Sequence, residues 1–393
     1  MIQSIELRNF KSIKRKYFPL RKLNLLLGLN GMGKSSFIQS LLLIHQSDNL
    51  KNKVLTLNGL PGGYVNIGTT KDARYQYAKK EETIDFLIKY KGCDVIEMNF
   101  DYELESDLLI AKDYPKIKKF YGIDDKGYQM FLHKSDPLFN ENFQYLNANR
   151  IPPQSIHSKS YHNVVKLKNI GNYGEYTAHF IDTFYNEDIR FENLIHKDSV
   201  IKDEVLGSEI INKTLINQIN LWMGEISPGV NIKTTSISSD EVFLEYAYRQ
   251  PHFGTTNRFK PENVGFGISY ALHVVTALLA SRPGELIIIE NPESHIHPRG
   301  QAELGKLIAL TAQNDIQLII ETHSDHLVNG IRVAIKENPE LKDNAIIFYF
   351  DKMVTASEQY STITNVEFDQ NGELSEYPIN MLDEWSNQLL KLL

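Results

Sequence analysis

Gly28, Gly33, Lys34 and Ser35 stand in the order G-x-x-x-x-G-K-S within "GLNGMGKSS". That spacing suits phosphate chemistry. Glycines let backbone N–H groups face phosphate oxygens, and a helix starting there adds its positive end. Lys34 supplies charge to the β and γ phosphates, and Ser35 supplies a hydroxyl to Mg2+. Asn30, Gly31 and Ser36 complete the loop. The ligands implied are ATP and Mg2+.

Two further stretches carry polar groups at the ends of apolar runs. "ELIIIE" delivers Glu290, a carboxylate suited to the hydration shell of Mg2+ opposite Ser35. "IQLIIETHSDHL" ends in Glu321, Thr322 and His323. His323 is expected beside the γ-phosphate, where an imidazole donates to it or to the attacking water. "NVGFGISYALHVVTALL" opens an amphipathic helix with Gly265, Gly267 and Ser269, a second anion-binding device. One nucleotide rarely needs two such devices in one chain.

These groups need a scaffold of strands and helices. "MIQSIELRNF" alternates as a strand, and "KLNLLLGLN" reads as a strand buried on both faces. "SFIQSLLLIHQ" has helical spacing after the glycine loop. "ETIDFLIKY", "DVIEMNFDYEL" and "DLLIAKDY" read as an antiparallel meander after the Gly-rich stretch "LNGLPGGYVNIGTTKDARY". "ELIIIE" and "IQLIIE", joined by the helix "AELGKLIALTAQ", form a parallel βαβ unit, whose ligands gather at the carboxyl ends of the strands. "NAIIFYFDK" and "STITNVEFDQNGEL" close the chain as strands.

The middle is less regular. "FQYLNANRIPPQ" reads as a strand ending at Arg150, a surface arginine or else a phosphate or partner contact. Ile210, Ile211, Leu215, Ile216, Ile219 and Trp222 fit one amphipathic helix. "SPGVNIKTTSI" and "EVFLEYAYR" follow as strands. His157, His162 and His179 lack metal-ligand spacing. There is no internal repeat and no long heptad tract. The expected organisation is a first part of one α/β head at 1–108, an insertion or lid at 109–206, the second part at 207–350 and a closing segment at 351–393.

The 393 residues are 42% hydrophobic and 23% charged, a globular balance. A net charge of −7 excludes a generally basic surface but not a local basic groove. Cys93 is the only cysteine, which excludes an intrachain disulfide and a cysteine zinc site. No apolar run reaches the ~18 residues of a membrane span, and the N-terminus lacks a signal-type apolar segment. A cytoplasmic location without membrane attachment is expected.

The order Gly28–Ser35, Gly265–Ser269, "IIIENPESHIHP" and "ETHSDHLVNGIRV" resembles the ABC-type ATPase heads of the SMC/RecF and OLD group. More narrowly it resembles stand-alone bacterial AAA-family ATPases of that group, many linked to phage defence. The resemblance in motif order runs over residues 1–350. It implies an α/β P-loop NTPase with a mixed central sheet, an antiparallel subsheet and a helical insertion. Gly265–Ser269 becomes the signature loop, Glu290 the Walker B acid, Ser294–His297 the D-loop and His323 the switch histidine. The Q-loop glutamine of the group is not located by the sequence: Gln46 follows a helix rather than a strand. Heads of this group work as head-to-tail dimers or higher oligomers with ATP sandwiched between subunits. Defence or genome maintenance is the expected setting.

One residue departs from the family pattern. Asn291 stands where the group carries the glutamate that activates water, and an amide cannot take that proton. Glu293 is the nearest carboxylate and the expected base. The alternative is slow hydrolysis with ATP as a long-lived clamp, the chain then acting as a nucleotide-gated scaffold. OLD-type nucleases continue into a metal-binding domain with an Asp-x-Asp cluster, and none follows His323. A nuclease or toxin activity is therefore expected on a separate effector protein, with DNA or RNA as a further partner class.

Overall fold

The structure is a computed structural model that describes residues 1–47, 54–59, 63–90, 95–112, 116–117, 136–202, 209–250 and 254–392. Cys93, residues 60–62 of the Gly-rich stretch and the first residues of "GSEIIN" lie outside them. The elements that matter for function are, in chain order, β1 (Ile2–Phe10), β2 (Ile13–Pro19), β3 (Leu23–Gly28), α1 (Lys34–Gln46), β4 (Ile84–Tyr90), β5 (Val95–Asp101) and β6 (Leu108–Ala111). Then come β7 (Phe143–Leu146), α2 (Leu215–Ile226), β8 (Val230–Ser236), β9 (Glu241–Gln250), α3 (Phe266–Leu279) and β10 (Glu285–Glu290). The chain continues through α4 (Pro298–Thr311), β11 (Ile316–Glu321), α5 (Asp325–Glu337), β12 (Ala345–Val354) and β13 (Gln359–Glu367).

The chain divides into two compact units. The first comprises Met1–Asn142, Asp343–Glu367 and Leu374–Leu393; the second comprises Phe143–Lys342 and Phe368–Glu373. These boundaries differ from the divisions expected at 108, 206 and 350.

In the first unit β1 pairs antiparallel with β2 (Ile5↔Phe18) and with β4 (Ile5↔Ile88). β4, β5 and β6 follow as the expected meander. β2 falls in "KSIKRKYFP", whose charges hide its strand pattern; its apolar anchors Ile13 and Phe18 are fully buried. β3 lies parallel to β12 (Leu26↔Phe348), and β12 lies antiparallel to β13. Phe18, Phe37 and Phe348 meet here, with Phe18 4.5 Å from the Phe37 ring and 5.3 Å from that of Phe348. Each such buried ring contributes about 1.5–3 kcal/mol. That core fixes the start of α1, which carries Lys34 and Ser35.

Asp136 is a local test of this unit's energetics. Its carboxylate accepts from the Leu138 backbone N–H at 2.9 Å and caps the short helix Pro137–Phe139. It is only 4% exposed, and burial pushes its pKa up to about 6. A group raised in the folded state contributes stability below its unfolded value, about 3.9, and that contribution is lost as pH rises through 6. Asp136→Asn keeps an acceptor and removes the ionisation. It is expected to be more stable than wild type at pH 7.5 by about 2–3 kcal/mol and to lose that advantage at pH 4. Urea unfolding at the two pH values measures this.

In the second unit three strands run parallel. β7 flanks β10 (Leu146↔Ile289), and β10 flanks β11 (Glu290↔Glu321). Leu286–Ile289 and Leu318–Ile320 are fully buried, as strands covered on both faces must be. The range 109–206 is thus not simply a helical lid. It supplies core strand β7, the strand Ile156–Ser158 against β9, and the seven-residue helix Thr177–Thr183. β8 and β9 pair antiparallel as expected.

The helix expected from Ile210 onward begins later, at Leu215. Ile210 and Ile211 are exposed and pair with Val200–Lys202. Asn212 Oδ1 accepts from the Thr214 N–H at 3.1 Å and from its hydroxyl at 2.7 Å, and Thr214 is the N-cap that sets the boundary. Among the described residues no helix is long and apolar enough to cross a membrane.

Candidate nucleotide site

The first unit holds the glycine loop between β3 and α1. Gly28, Gly31 and Gly33 have φ of +133°, +77° and +109°. Glycine adopts these angles without strain. A Cβ at Gly28 would overlap the Phe350 carbonyl of β12, and one at Gly33 would meet the hydroxyls of Ser12 and Ser361. Lys34 is 3% exposed, and its Nζ donates to the carbonyls of Gly28 (2.7 Å) and Leu29 (3.0 Å). The ammonium is held across the loop. Asn30, Gly31 and Ser35 are exposed, whereas Ser36 is buried. Ser36 Oγ lies 3.3 Å from Ser12 Oγ, and Ser361 Oγ donates to Ser12 at 2.8 Å. Ser36 therefore belongs to a hydroxyl chain behind the loop. Ser12 and Ser361 carry no local signal of this role.

The second unit holds the acidic strand ends. Glu290 Oε1 accepts from the Tyr145 hydroxyl at 2.9 Å, and Asn147 Nδ2 donates to that same hydroxyl at 2.9 Å. Burial raises the Glu290 pKa. Arg150 is a positive neighbour that lowers it in turn, and a carboxylate oxygen is the donor type that Mg2+ takes. Asn291 follows with φ +46°, in the left-handed region that asparagine tolerates better than most residues. Its N–H donates to the Glu321 carbonyl at 2.8 Å, which ties the end of β10 to β11.

Glu293 is 8% exposed. Its Oε1 accepts from the His323 backbone N–H at 2.9 Å, and Oε2 is buried, with the Thr322 hydroxyl acting on the carboxylate to favour its charged form. Burial raises its pKa against that bond. The structure thus brings Glu290, Glu293 and the His323 backbone to the carboxyl ends of β10 and β11. His323 itself is exposed.

Arg150 is not a surface residue. It is 2% exposed; Nη1 donates to the Glu290 carbonyl at 2.8 Å, and Nη2 to the Asn291 carbonyl at 2.6 Å. Burial lowers its pKa to about 10, which leaves it protonated at neutral pH.

Gly265 is the N-cap of α3, and Gly265 and Phe266 are exposed at its start. A Cβ at Gly267 would overlap the His295 carbonyl, so this glycine lets α3 approach the Ser294–His297 turn. Ser269 does not share the exposed face. It is buried, with Oγ 3.2 Å from the Tyr246 hydroxyl, four residues into a helix that carries it inward.

Other candidates have structural partners. Gln46 Nε2 donates to the Thr56 carbonyl and its Oε1 accepts from the Val65 N–H, both at 3.0 Å, so it fastens a loop. His157 contacts the Gln154 carbonyl, and His179 Nδ1 accepts from the Ser160 N–H. Among the described residues, one cluster of metal-ligand type is His196, Asp198 and Glu225. Lys197 and Arg299 lie 3.9 and 3.6 Å from Glu225 and already offset its charge.

The donor set fits a nucleoside triphosphate: positive-φ glycines, a lysine ammonium and an exposed serine at the start of a 13-residue helix. Residues 23–329 match the family described as "AAA domain, putative AbiEii toxin, Type IV TA system". Residues 342–392 match one described as a protein of unknown function. No curated protein matches in sequence. Among solved structures, the Smc head bound to the C-winged helix domain of ScpA aligns with a TM-score of 0.54 at 12% identity. It covers 92% of this chain and 98% of that one. The Smc head with an extended coiled coil, bound to the C-terminal domain of ScpA derived from Pyrococcus furiosus, aligns at 0.52 and 10% identity, covering 100% and 99%. These likenesses show a shared fold, an α/β ATPase head. The chain belongs to the family described as "AAA domain, putative AbiEii toxin, Type IV TA system", and its fold is that of the Smc heads.

Proposed function

We propose that the chain binds ATP with Mg2+ and hydrolyses it slowly, and that ATP held between two copies drives a dimer that switches a partner. The observation that carries this reading is Glu293. It is a buried carboxylate with one oxygen pinned by the His323 N–H. A carboxylate so held has a fixed geometry and a raised pKa, both suited to taking a proton from water. Lys34 and the loop N–H groups bind the phosphates. Ser35 and Glu290 are the residues that would hold Mg2+, which supplies charge neutralisation when bound. His323 is the polar group offered to the γ-phosphate or the water.

The exposed Gly265–Phe266 start of α3 supports the dimer. It is an exposed helix N-terminus, and the resemblance assigns it to the nucleotide of a second copy. The family description supports a defence setting through toxin–antitoxin biology. The ScpA domains bound on two Smc heads support a separate protein partner. That partner is an effector, a nuclease or toxin, with DNA or RNA as a further ligand; genome maintenance is the other setting.

Asn291 favours a second reading, a clamp that binds ATP without turnover and holds the effector inactive. Turnover and native mass, measured with and without ATP and Mg2+, test both. A doubling of mass with ATP, reversed as ATP is consumed, is expected. Doubling that persists without phosphate release supports the clamp. An unchanged mass with no turnover removes both readings.

A further inference from the structure

Arg150 occupies a place that neither the phosphate loop nor the acidic turn explains. It follows β7, yet its guanidinium reaches the turn after β10. Nη1 donates to the carbonyls of Glu290 (2.8 Å) and Asn147 (3.3 Å), and Nη2 donates to that of Asn291 (2.6 Å). These carbonyls lie at the ends of β7 and β10, beyond Leu146 and Ile289, the last residues the two strands pair with each other. Without the guanidinium these part-buried acceptors lose the donor that holds them. The planar fork spans both carbonyls of a left-handed step, which a single ammonium cannot do. Glu290 and Glu293 stand either side of that step, so its geometry sets where both carboxylates point.

The same guanidinium lies 5.3 Å over the ring of Tyr270, on α3. Tyr270 meets the ring of His295 edge-on at 5.1 Å, and His295 lies 5.9 Å from Phe266. Phe266 is 54% exposed at the start of α3, and Gly267 abuts the His295 carbonyl. His295 has φ +63°. A contiguous chain of contacts therefore runs from the exposed helix start to the acidic turn.

We infer that Arg150 is a positioning residue, which holds the Glu290–Asn291 turn through two carbonyls and couples it, through Tyr270 and His295, to the partner-facing start of α3. This inference rests on the proposed ATPase function. Pressure on Phe266 from a second copy reaches the catalytic carboxylate through rigid rings and a forked cation. Arg150 touches no phosphate in this role.

The test uses the full chain with Arg150→Lys, Arg150→Ala and Tyr270→Leu. ATP affinity is read by equilibrium titration with a fluorescent ATP analogue, kcat by phosphate release and folding by thermal unfolding. Arg150→Ala risks misfolding because it removes all three hydrogen bonds to the turn; Arg150→Lys keeps the charge and Tyr270→Leu much of the volume. Arg150→Lys is expected to bind nucleotide as wild type does, with Tm little changed, yet to lose about 100-fold in kcat, the cost of misplacing a group by about 1 Å. Tyr270→Leu is expected to lose about 3- to 10-fold in kcat. Wild-type kcat in Arg150→Lys overturns the inference while leaving the ATPase reading intact. A parallel fall in affinity, Tm and kcat also overturns it, since a structural arginine does that. A wild type that releases no phosphate removes the reading beneath it and the inference together, and is seen before any variant is measured.

Discussion

Glu293→Gln is expected to lower ATP turnover by about 100- to 10,000-fold while ATP affinity stays near that of wild type. Glutamine has the shape of glutamate and an oxygen that can still accept from the His323 N–H, so the turn after β10 is preserved. What it lacks is the ability to take a proton. Glu293 is suited to that task by burial, which raises its pKa against the hydrogen bonds it accepts. The sign follows. The base form fills as pH climbs through a midpoint above the ordinary 4.5, so wild-type turnover rises with pH there and the residual rate of Glu293→Gln does not. The ATP-bound dimer of the variant should accumulate, because binding survives and clearance does not. Equal turnover in variant and wild type would show that another group activates water. Negligible turnover in both, with tight binding, would make Asn291 the meaningful substitution and the protein a clamp.

Why Asn291 stands there is clearer from backbone than from chemistry. The sequence shows only that a carboxylate is missing after Glu290. The structure shows φ +46° at Asn291, a carbonyl given to Arg150 and an N–H given to Glu321. Asparagine enters the left-handed region at lower cost than most residues, so the turn at Asn291–Pro292 carries the chain on to Glu293.

What was legible in the sequence was local. "GLNGMGKSS" specifies its own turn and helix, and "ELIIIE" and "IQLIIE" declare strands buried on both faces. What was not legible depends on residues far apart in the chain. Tyr145 and Glu290 meet because β7 flanks β10, across 145 positions. Nothing in "FQYLNANR" announces that neighbour, so Arg150 reads as a surface residue. Ser12 and Ser361 reach Ser36 only because β2 and β13 converge behind the loop. Ser269 matched a motif by spacing, but spacing does not fix rotation about α3, and the helix turns it toward Tyr246. Ile210 and Ile211 matched a helical period that the Thr214 cap interrupts.

Lys34→Ala is expected to weaken ATP binding by about 100-fold or more, and to abolish both turnover and the ATP-driven dimer. Each charge-assisted hydrogen bond contributes about 1.5–3 kcal/mol, and an ammonium spanning the β and γ phosphates makes at least one to each, a total near 3 kcal/mol or above. The geometry adds to this. Lys34 is held across the loop by the carbonyls of Gly28 and Leu29, so its removal also loosens the turn that aims the backbone N–H groups. Lys34→Arg should not rescue binding, because a planar guanidinium is larger than the compact ammonium and cannot donate from one point to both carbonyls. Gly28→Ala separates the two contributions: it keeps the charge but places a methyl against the Phe350 carbonyl at a φ of +133°. It should lose thermal stability out of proportion to its loss of binding, whereas Lys34→Ala should lose binding out of proportion to its fall in Tm. Titration of a fluorescent ATP analogue beside thermal unfolding distinguishes them. Wild-type affinity in Lys34→Ala would mean that the loop is not where the phosphates sit, whatever its sequence.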